Sequence, residues 1–377
     1  MTCHARALVA AVALTVAVGC GPSADEEILE RSWSGYRSRF ITEEGRVVRP
    51  EHGHDTVSEG QAYALLRSAW MDDRATFDRV WRWTNAHLGR EGRPGPSLLA
   101  WRWTAESGVA DWNVAADADA DVALALLVAA ARWPTAAPEY RSTATAMLTD
   151  LLEHLAANDE RGATVFLPGA WADQRSEGGG LVLNPSYLAP ASFRAFHRAT
   201  GDARWLALVD GAYGVLEATC EGRGSTLAPD WIRWWSRDRW EVERHDNGSS
   251  SGWDAVRVPW RVGTDWQWFH EPRARAYLDR CVQPVALRRM ESGLGVPVEM
   301  DERAASGTEA APEHPLANAL FSFAFDRPAE RDALLARVLP RLAWHGRDLF
   351  IGEPDRYYVN SLGYLPFLAR AGRFTAP

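Results

Sequence analysis

The sequence predicts an all-α protein whose helices form a double-layered barrel, with an inner ring shielded by an outer ring. The first observation is that apolar residues recur at the i, i+3, i+4, i+7 spacing of a helix face along most of the chain, whereas strand-like alternation is scarce. The second is that VALALLVAAA at 122–131 is apolar on every side, as expected for a helix surrounded by other helices. Amphipathic helices combined with a fully buried one favour two layers.

Five amphipathic stripes predict helices along the chain. Their apolar positions are Ala62, Leu65, Leu66 and Ala69; Phe77, Val80, Trp81 and Leu88; Leu148, Leu151, Leu152 and Leu155; Leu206, Val209, Tyr213 and Leu216; and Leu334, Leu335, Val338, Leu339 and Leu342. Two long segments, 161–186 and 222–253, are rich in Gly, Trp and charge and are predicted to be loops, and loops longer than about 15 residues are usually functional or disordered. Because the interior has no Gly/Ser- or Pro-rich linker, residues 33–377 are predicted to form a single domain.

The N-terminal segment predicts export. A basic residue precedes an apolar run that is too short to span a bilayer, so residues 1–19 read as a signal peptide. The small residues before Cys20 resemble the lipobox of bacterial lipoproteins, although Ala17 stands where leucine is usual. Cys20 is therefore the candidate lipidation site, and residues 20–32 are predicted to be a polar tether. The alternative is an ordinary signal peptide that is cut nearby.

These features set the expected location. Gly21 is not the aspartate that typically retains lipoproteins at the inner membrane, so we expect an outer-membrane or cell-surface lipoprotein, with a periplasmic or secreted protein as the alternative. The protein is expected to meet the membrane only through its lipid anchor.

Charge and cysteine content narrow the function classes. A net charge of −9 and a pI near 5.6 argue against a nucleic-acid partner. Cys220 and Cys281 could pair in an exported protein, but two cysteines alone do not establish the bond. Zinc-type Cys/His spacing is missing from the sequence, and the pair His52 and His54 beside Asp55 fits loop residues better than a metal site. No metal or cofactor is predicted, while 19 tryptophans suggest stacking on sugar rings.

The stretch DTVSEGQAYALL places Glu59 at the start of an apolar helix. A capping box can be written with Glu59 as the capping carboxyl of Thr56, or with Gln61 as the capping partner of Ser58. The second arrangement is favoured, and it leaves Glu59 free to act as an acid.

The stretch AADADADVALALL places Asp117, Asp119 and Asp121 at the start of the buried helix. An EF-hand is excluded because Val122 and Val128 stand where that motif requires glycine and glutamate. Three aspartates at a helix start complement the helix dipole, but a polar cleft over the barrel mouth explains better why they precede the most buried helix.

The stretch SSSGWDAVRVPWRVGTDW places Asp254 after a flexible segment and three residues before Arg257. On its own, this aspartate would be interpreted as a salt-bridged loop residue.

Together these segments resemble glycoside hydrolase family 8, a family of inverting endoglucanases, xylanases and chitosanases. The similar stretches follow the family's order between about residues 33 and 370: TVSEGQAYALL, AADADADVALALLVAAARW, NPSYLAP, PDW, WDAVRVPWR and YYVNSLGYL. The resemblance implies an (α/α)6 barrel, an inverting mechanism and no cofactor. The chain departs from the family pattern at Ala116, Val122, Ala170 and Trp253.

The resemblance also implies residue roles. It makes Glu59 the general acid, Asp254 the general base and Asp117 the substrate-binding aspartate of the catalytic group. The further residues expected to bind substrate are Asp119, Arg257, Trp101, Trp171 and Tyr187, with Trp103 as an alternative to Trp101.

The chemistry sets a condition on the acid. Because a helix start favours the ionised form, Glu59 needs burial or a nearby negative charge to stay protonated, and Asp117 is predicted to supply that charge. Arg257 is expected to keep Asp254 ionised. Inverting hydrolysis places the acid and the base about 6.5–9.5 Å apart, so that water fits beside the sugar.

The leading hypothesis is an exported, monomeric endo-β-1,4-glucanase that acts on cellulose or a related β-glucan. An aspartate at position 254 favours cellulase or xylanase over chitosanase, and RVPWR is closer to the cellulase pattern. Xylan, mixed-linkage glucan and chitosan are alternative substrates. A glycan-binding lipoprotein that has lost turnover is the alternative from another class, but the retained carboxylates argue against it.

Overall fold

The computed structural model describes residues 23–90, 96–177, 179–220, 227–243, 251–300 and 313–377, so the predicted signal peptide and Cys20 lie outside the described residues. The helices are α1 (Ala24–Phe40), α2 (Ser58–Trp70), α3 (Arg74–Leu88), α4 (Ala116–Arg132), α5 (Ala137–Leu155), α6 (Pro190–Thr200), α7 (Arg204–Cys220), α8 (Val258–Phe269), α9 (Pro272–Tyr277), α10 (Gln283–Glu291), α11 (Pro315–Phe321), α12 (Pro328–Val338), α13 (Tyr357–Leu362) and α14 (Leu365–Arg370). A π-helical turn, Leu278–Val282, joins α9 to α10.

The helices form two concentric layers. In the inner ring α2 contacts α4, α4 contacts α6, α6 contacts α8, α8 contacts α11, α11 contacts α13, and α13 returns to α2. The outer helices pack against them in chain order: α3 on α2, α5 on α4, α7 on α6, α9 on α8, α12 on α11, and α1 on α13 and α14. The predicted all-α (α/α)6 barrel is confirmed.

Burial follows from the sequence pattern of each layer. Helix α4 is buried from Ala116 to Ala130, and α2 is buried throughout apart from Glu59, as inner helices should be. The predicted stripes are buried in α2 and α5, but Leu206 is exposed on α7. The last predicted helix ends at Val338 and does not reach Leu342. Pro340 cannot continue the helix, and Leu342 begins a strand.

Short antiparallel strands occupy the connections. They are β1 (Thr56–Val57), β2 (Arg102–Thr104), β3 (Gly108–Asp111), β4 (Ala156–Asn158), β5 (Thr164–Phe166), β6 (Leu181–Leu183), β7 (Trp231–Ser236), β8 (Arg239–Glu243), β9 (Leu342–His345) and β10 (Asp348–Ile351). They pair in the orders β1-β2-β3, β4-β5, β6-β7-β8 and β9-β10. The segments predicted to be loops therefore contain the β6-β7-β8 sheet, in which Val182 lies opposite Arg233 and Trp234 opposite Trp240.

The predicted tether over residues 20–32 is wrong where the structure describes it. Ser23 caps α1 with its hydroxyl, and the Glu26 carboxylate accepts the Ser23 N–H at 2.9 Å, which completes a capping box. Ile28 and Leu29 are buried in the core cluster that reaches Phe374 near the other end of the chain. Residues 24–32 thus belong to the folded unit.

A disulfide joins two neighbouring parts of the outer layer. Cys220 at the end of α7 bonds Cys281 in the π-helical turn, with a Cα–Cα distance of 6.0 Å. Among the described residues, no helix combines the length and the apolar character that crossing a membrane requires.

Candidate active site

Charged side chains from three inner helices meet at one end of the barrel, which we call the barrel mouth. Glu59 lies in the first turn of α2 and Asp117 in the first turn of α4. Asp254 precedes the 3₁₀ turn Ala255–Arg257, and Arg257 leads directly into α8. The N-terminal ends of α2, α4 and α8 therefore carry the candidate chemistry.

Backbone hydrogen bonds fix each of these helix starts. The Ser58 N–H donates to the Trp101 carbonyl at 2.9 Å, next to the pairing of β1 with β2. The Ala116 N–H donates to the Pro168 carbonyl at 3.0 Å. In front of α8, Asp230 Oδ1 accepts the N–H groups of Gly252 at 2.9 Å and Ala255 at 2.7 Å. The carboxylates are thus presented by turns that other parts of the chain hold in place.

One buried guanidinium binds all three carboxylates. Arg257 Nη1 donates to Glu59 Oε2 at 2.8 Å and to Asp117 Oδ2 at 2.8 Å, and Nη2 donates to Asp254 Oδ1 at 2.7 Å. Ser186 Oγ accepts from Nη2 at 2.7 Å. Because one rigid fork makes both contacts, Arg257 fixes the positions of Glu59 and Asp254 relative to each other.

The structure corrects two predicted substrate contacts. Arg257 is fully buried and its terminal nitrogens donate to groups of its own chain, so it positions the carboxylates rather than binding sugar. Asp119 is also fully buried, and its Oδ1 accepts the Leu99 N–H at 2.8 Å, away from the Arg257 cluster. Burial raises the pKa of Asp119 to about 8. Because Asp119 follows Asp117 by two residues, it lies on the other side of α4 and points toward the core.

Glu59 has the electrostatics of an acid that is protonated near neutrality. Burial raises its pKa to about 7; Arg257 opposes this shift, while the charges of Asp117 and Asp254 add to it. The side chain is still 23% exposed, and its Oε1 accepts no hydrogen bond from the described residues. The expectation that burial and Asp117 would raise the pKa of Glu59 is confirmed in direction.

The capping arrangement favoured from the sequence is wrong. Helix α2 begins at Ser58 with Val57 before it, and no side chain caps it. Gln61 instead accepts the Val47 N–H at 2.5 Å and donates to Thr84 Oγ1 at 2.7 Å, which ties α2 to α3. Glu59 takes no part in capping, so it is free for the role that the motif implies.

Asp254 is held by two donors on different oxygens. Its Oδ1 accepts from Arg257, and its Oδ2 accepts from the indole Nε1 of Trp231 at 3.0 Å. The side chain is 31% exposed, so a water molecule in the mouth can reach it. An oriented, partly exposed carboxylate is what a general base requires.

Three aromatic rings form a cluster beside Asp254. Trp231 lies 6.0 Å from Trp171 and 6.0 Å from Tyr187 between ring centroids, and the Arg257 guanidinium lies over the Tyr187 ring at 5.4 Å. Trp171 is 45% exposed. The structure therefore brings the predicted Trp171 and Tyr187 together. Trp231 was missed as a site residue, although it ends the PDW stretch at 229–231 that resembles the family.

The structure distinguishes Trp101 from Trp103, the two alternative candidates for substrate binding. The carbonyl of half-buried Trp101 holds the start of α2, so this residue lies beside Glu59. Trp103 packs edge-on against Trp83 at 5.3 Å and under the Arg46 guanidinium at 5.1 Å. Trp101 therefore remains the candidate for substrate binding at the barrel mouth, whereas Trp103 belongs to a packing cluster.

Side chains of the types that can bind metal ions also lie outside the Arg257 cluster. Asp55 is buried and pairs with Arg49 at 2.7 Å and Arg102 at 2.8 Å, so its charge is already balanced by arginine. Within the part of the chain that the structure describes, the group with metal-binding geometry is a partly exposed set on α5: Asp150, Glu153 and His154.

Comparison with known proteins identifies the family of the chain. The family model for glycosyl hydrolases family 8 matches residues 2–310. Endoglucanase A of Acetivibrio thermocellus is 30% identical over 367 residues, which cover 93% of this chain and 70% of that protein. The crystal structure of a family 8 endoglucanase from Klebsiella pneumoniae is similar with a TM-score of 0.68 and 26% identity, covering 90% of this chain and 98% of that chain. A β-1,3-1,4-glucanase from Paenibacillus sp. X4 shares the fold with a TM-score of 0.77 and 20% identity, covering 94% of this chain and 93% of that chain. The chain therefore belongs to glycosyl hydrolase family 8.

Proposed function

We propose that the protein is an inverting endo-β-1,4-glucanase in which Glu59 is the general acid and Asp254 the general base. The observation that carries the proposal is the convergence of Glu59, Asp117 and Asp254 on the buried Arg257 guanidinium at the barrel mouth. Endoglucanase is the name carried by the Acetivibrio and Klebsiella proteins, and this supports glucan as the substrate.

The geometry suits a single displacement. Glu59 donates its proton to the glycosidic oxygen as the bond to the anomeric carbon breaks, and water attacks that carbon from the opposite face while Asp254 takes its proton. The step moves one negative charge from Asp254 to Glu59 and leaves the charge of Asp117 unchanged. Arg257 therefore faces the same number of negative charges throughout, because it contacts all three carboxylates.

Asp117 acts in this scheme mainly through its charge. It is 2% exposed, and its Oδ1 accepts the Ala118 N–H at 2.9 Å while its Oδ2 accepts from Arg257. Its negative charge raises the pKa of Glu59 and so favours the protonated acid.

Isosteric substitution tests the two roles. Glu59→Gln and Asp254→Asn are each expected to abolish release of reducing ends from carboxymethyl cellulose while retaining cellohexaose binding in calorimetry. The exposed Glu353→Gln is the matched control and keeps the wild-type rate. Wild-type turnover by either site variant would show that the roles are assigned wrongly. Cellulose is expected to be hydrolysed faster than xylan, mixed-linkage glucan or chitosan, and the reverse order would move the proposal to that polymer.

We further propose that the protein is exported, lipidated at Cys20 and monomeric. The signal-like N terminus and the Cys220–Cys281 disulfide support export, since disulfides persist in oxidising compartments. Incorporation of labelled palmitate that is lost in Cys20→Ala tests the anchor, and a dimer in light scattering would contradict the monomer.

A further inference from the structure

A second pair of a guanidinium and a carboxylate lies one helical turn below Arg257. Arg261 Nη1 donates to Asp121 Oδ1 at 2.7 Å, and Arg261 Nη2 donates to Asp121 Oδ2 at 2.7 Å. Asp121 follows Asp117 by four residues on α4, and Arg261 lies in α8, four residues after Arg257. Because residues four apart share a helix face, the two pairs form two stacked layers, of which the upper one contains the reacting groups.

The Asp121–Arg261 pair links two helices that are not neighbours in the inner ring. Helix α6 lies between α4 and α8, so a side-chain bond from α4 to α8 crosses the interior of the barrel. The bond is bidentate, and two parallel N–H···O bonds fix a direction as well as a distance. The Arg261 guanidinium also lies over the Trp260 ring at 4.1 Å, which holds it from the side.

Stability alone does not explain why this pair is buried. Asp121 and Arg261 are both almost inaccessible to solvent. Removing two charges from water costs free energy, and replacing a buried ion pair by apolar side chains of similar volume is often neutral or stabilising. What the bidentate pair adds is a fixed arrangement of α4 and α8, the helices whose starts carry Asp117 and Arg257.

We propose that Asp121 and Arg261 are positioning residues for the acid and the base of the hydrolysis. Their pair holds α4 and α8 at the separation at which Arg257 reaches all three carboxylates of the mouth. Arg257 is the contact that the acid and the base share, so a change in this separation displaces one of them relative to the other. The inference rests on the proposed glucanase function, and both residues act through Arg257 because neither is exposed to the groove.

The protonation of Glu59 reports the position of Arg257. Burial raises the pKa of Glu59 and the Arg257 charge opposes this rise; Asp117 and Asp254 add to it, and Arg49 also opposes it. The tyrosines that face Glu59 stay neutral, because burial raises the pKa of each above its ordinary value: Tyr36, Tyr63, Tyr187, Tyr357 and Tyr358. A weaker contact between Arg257 and Glu59 therefore raises the pKa of Glu59 further.

Replacement of the whole pair by apolar side chains tests the inference. Asp121→Leu combined with Arg261→Met removes both charges, so that no unpaired charge is left in the barrel, and the urea midpoint should stay near that of wild type. The double variant is expected to lower kcat on cellohexaose by roughly tenfold or more and to leave KM nearly unchanged, since the groove itself is intact. Arg261→Lys is the second variant. It keeps the charge but replaces the fork by a single contact, so it should lower kcat in the same way even if the double variant does not fold.

The matched control is Asp265→Asn. Asp265 is a fully buried carboxylate on the same helix, but it pairs with Arg194 of α6 at 3.0 Å rather than with α4. This variant removes a buried charge from α8 without touching the link to α4. It should therefore keep the wild-type kcat.

Infrared spectroscopy provides a readout that needs no turnover. The carbonyl stretch of protonated Glu59, assigned by its loss in Glu59→Gln, gives the pKa of this group in the resting protein. That pKa is expected to rise in the double variant and in Arg261→Lys, and to keep its wild-type value in Asp265→Asn. An unchanged pKa together with wild-type kcat would overturn the inference. Failure of the proposed function is distinguishable, because wild-type protein would then release no product from cellohexaose, while the infrared titration still decides whether the pair positions Arg257.

Discussion

The raised pKa of Glu59 predicts a pH-dependent cost in stability that Glu59→Gln removes. In the folded protein the pKa of this carboxyl is raised from the ordinary 4.5 to about 7, chiefly by burial. Between these two values the folded state holds a proton that the unfolded state has released, so stability falls as pH rises through this window. At about 1.4 kcal/mol per pH unit, the loss above pH 7 reaches about 3 kcal/mol. A neutral glutamine avoids it.

The assay is urea unfolding of wild type and Glu59→Gln at pH 4, 5, 6, 7 and 8 at fixed ionic strength. The two proteins should have similar free energies of unfolding at pH 4, and the variant should gain about 3 kcal/mol by pH 8, a shift in Tm on the order of 5 °C. The exposed Glu353→Gln should give no such trend. A difference that is constant with pH, or a variant less stable than wild type at pH 8, would refute the reasoning.

The remaining predictions concern groups that contact the acid or the base, and the disulfide. Arg257→Met leaves buried carboxylates unpaired and should cost about 3–5 kcal/mol in urea unfolding; an unchanged midpoint would contradict this. Asp117→Asn should lower the pKa of Glu59, so the alkaline limb of the kcat/KM profile moves to lower pH rather than staying in place. Trp231→Phe removes a hydrogen bond to Asp254 and should lower kcat about tenfold or more with little change in KM. Replacing both Cys220 and Cys281 by Ser should lower the free energy of unfolding by about 4 kcal/mol, and an unchanged value would show that the disulfide does not stabilise the fold.

The sequence was sufficient for the barrel and for the carboxylates because those features depend on local pattern. An inner helix such as α4 must be apolar all round, and the ends of inner helices must carry the polar residues of the mouth. The positions of Glu59, Asp117 and Asp254 followed from that pattern and from the family resemblance.

What the sequence could not settle depends on contacts between distant residues. Gln61 resembled a capping partner of Ser58, but Val47 and Thr84 provide it with buried hydrogen bonds that no local pattern contains. Arg257 was predicted to contact substrate, since nothing in the chain order indicates that the three carboxylates would enclose it. The Ser23 capping box, by contrast, is a local pattern, because Ser23 and Glu26 stand three residues apart, and this spacing predicts a helix where the tether was expected.

The strands within the two predicted loop segments, which are rich in glycine and tryptophan, were not predicted for a similar reason. Strand β7 (WIRWWS) alternates half-buried and buried residues, but both sets contain a tryptophan and a polar residue, so the alternation is not one of apolar and polar residues. Trp231 therefore became a site residue only when the position of β7 beside Asp254 was known.

The central claim, single displacement by the Glu59 and Asp254 pair, is tested most directly by proton NMR of cellohexaose mixed with the folded protein. The account predicts that α-anomers of the new reducing ends appear first and then mutarotate, because water attacks from the face opposite the leaving group. The appearance of β-anomers first would contradict inversion and the pairing of Glu59 with Asp254 as acid and base.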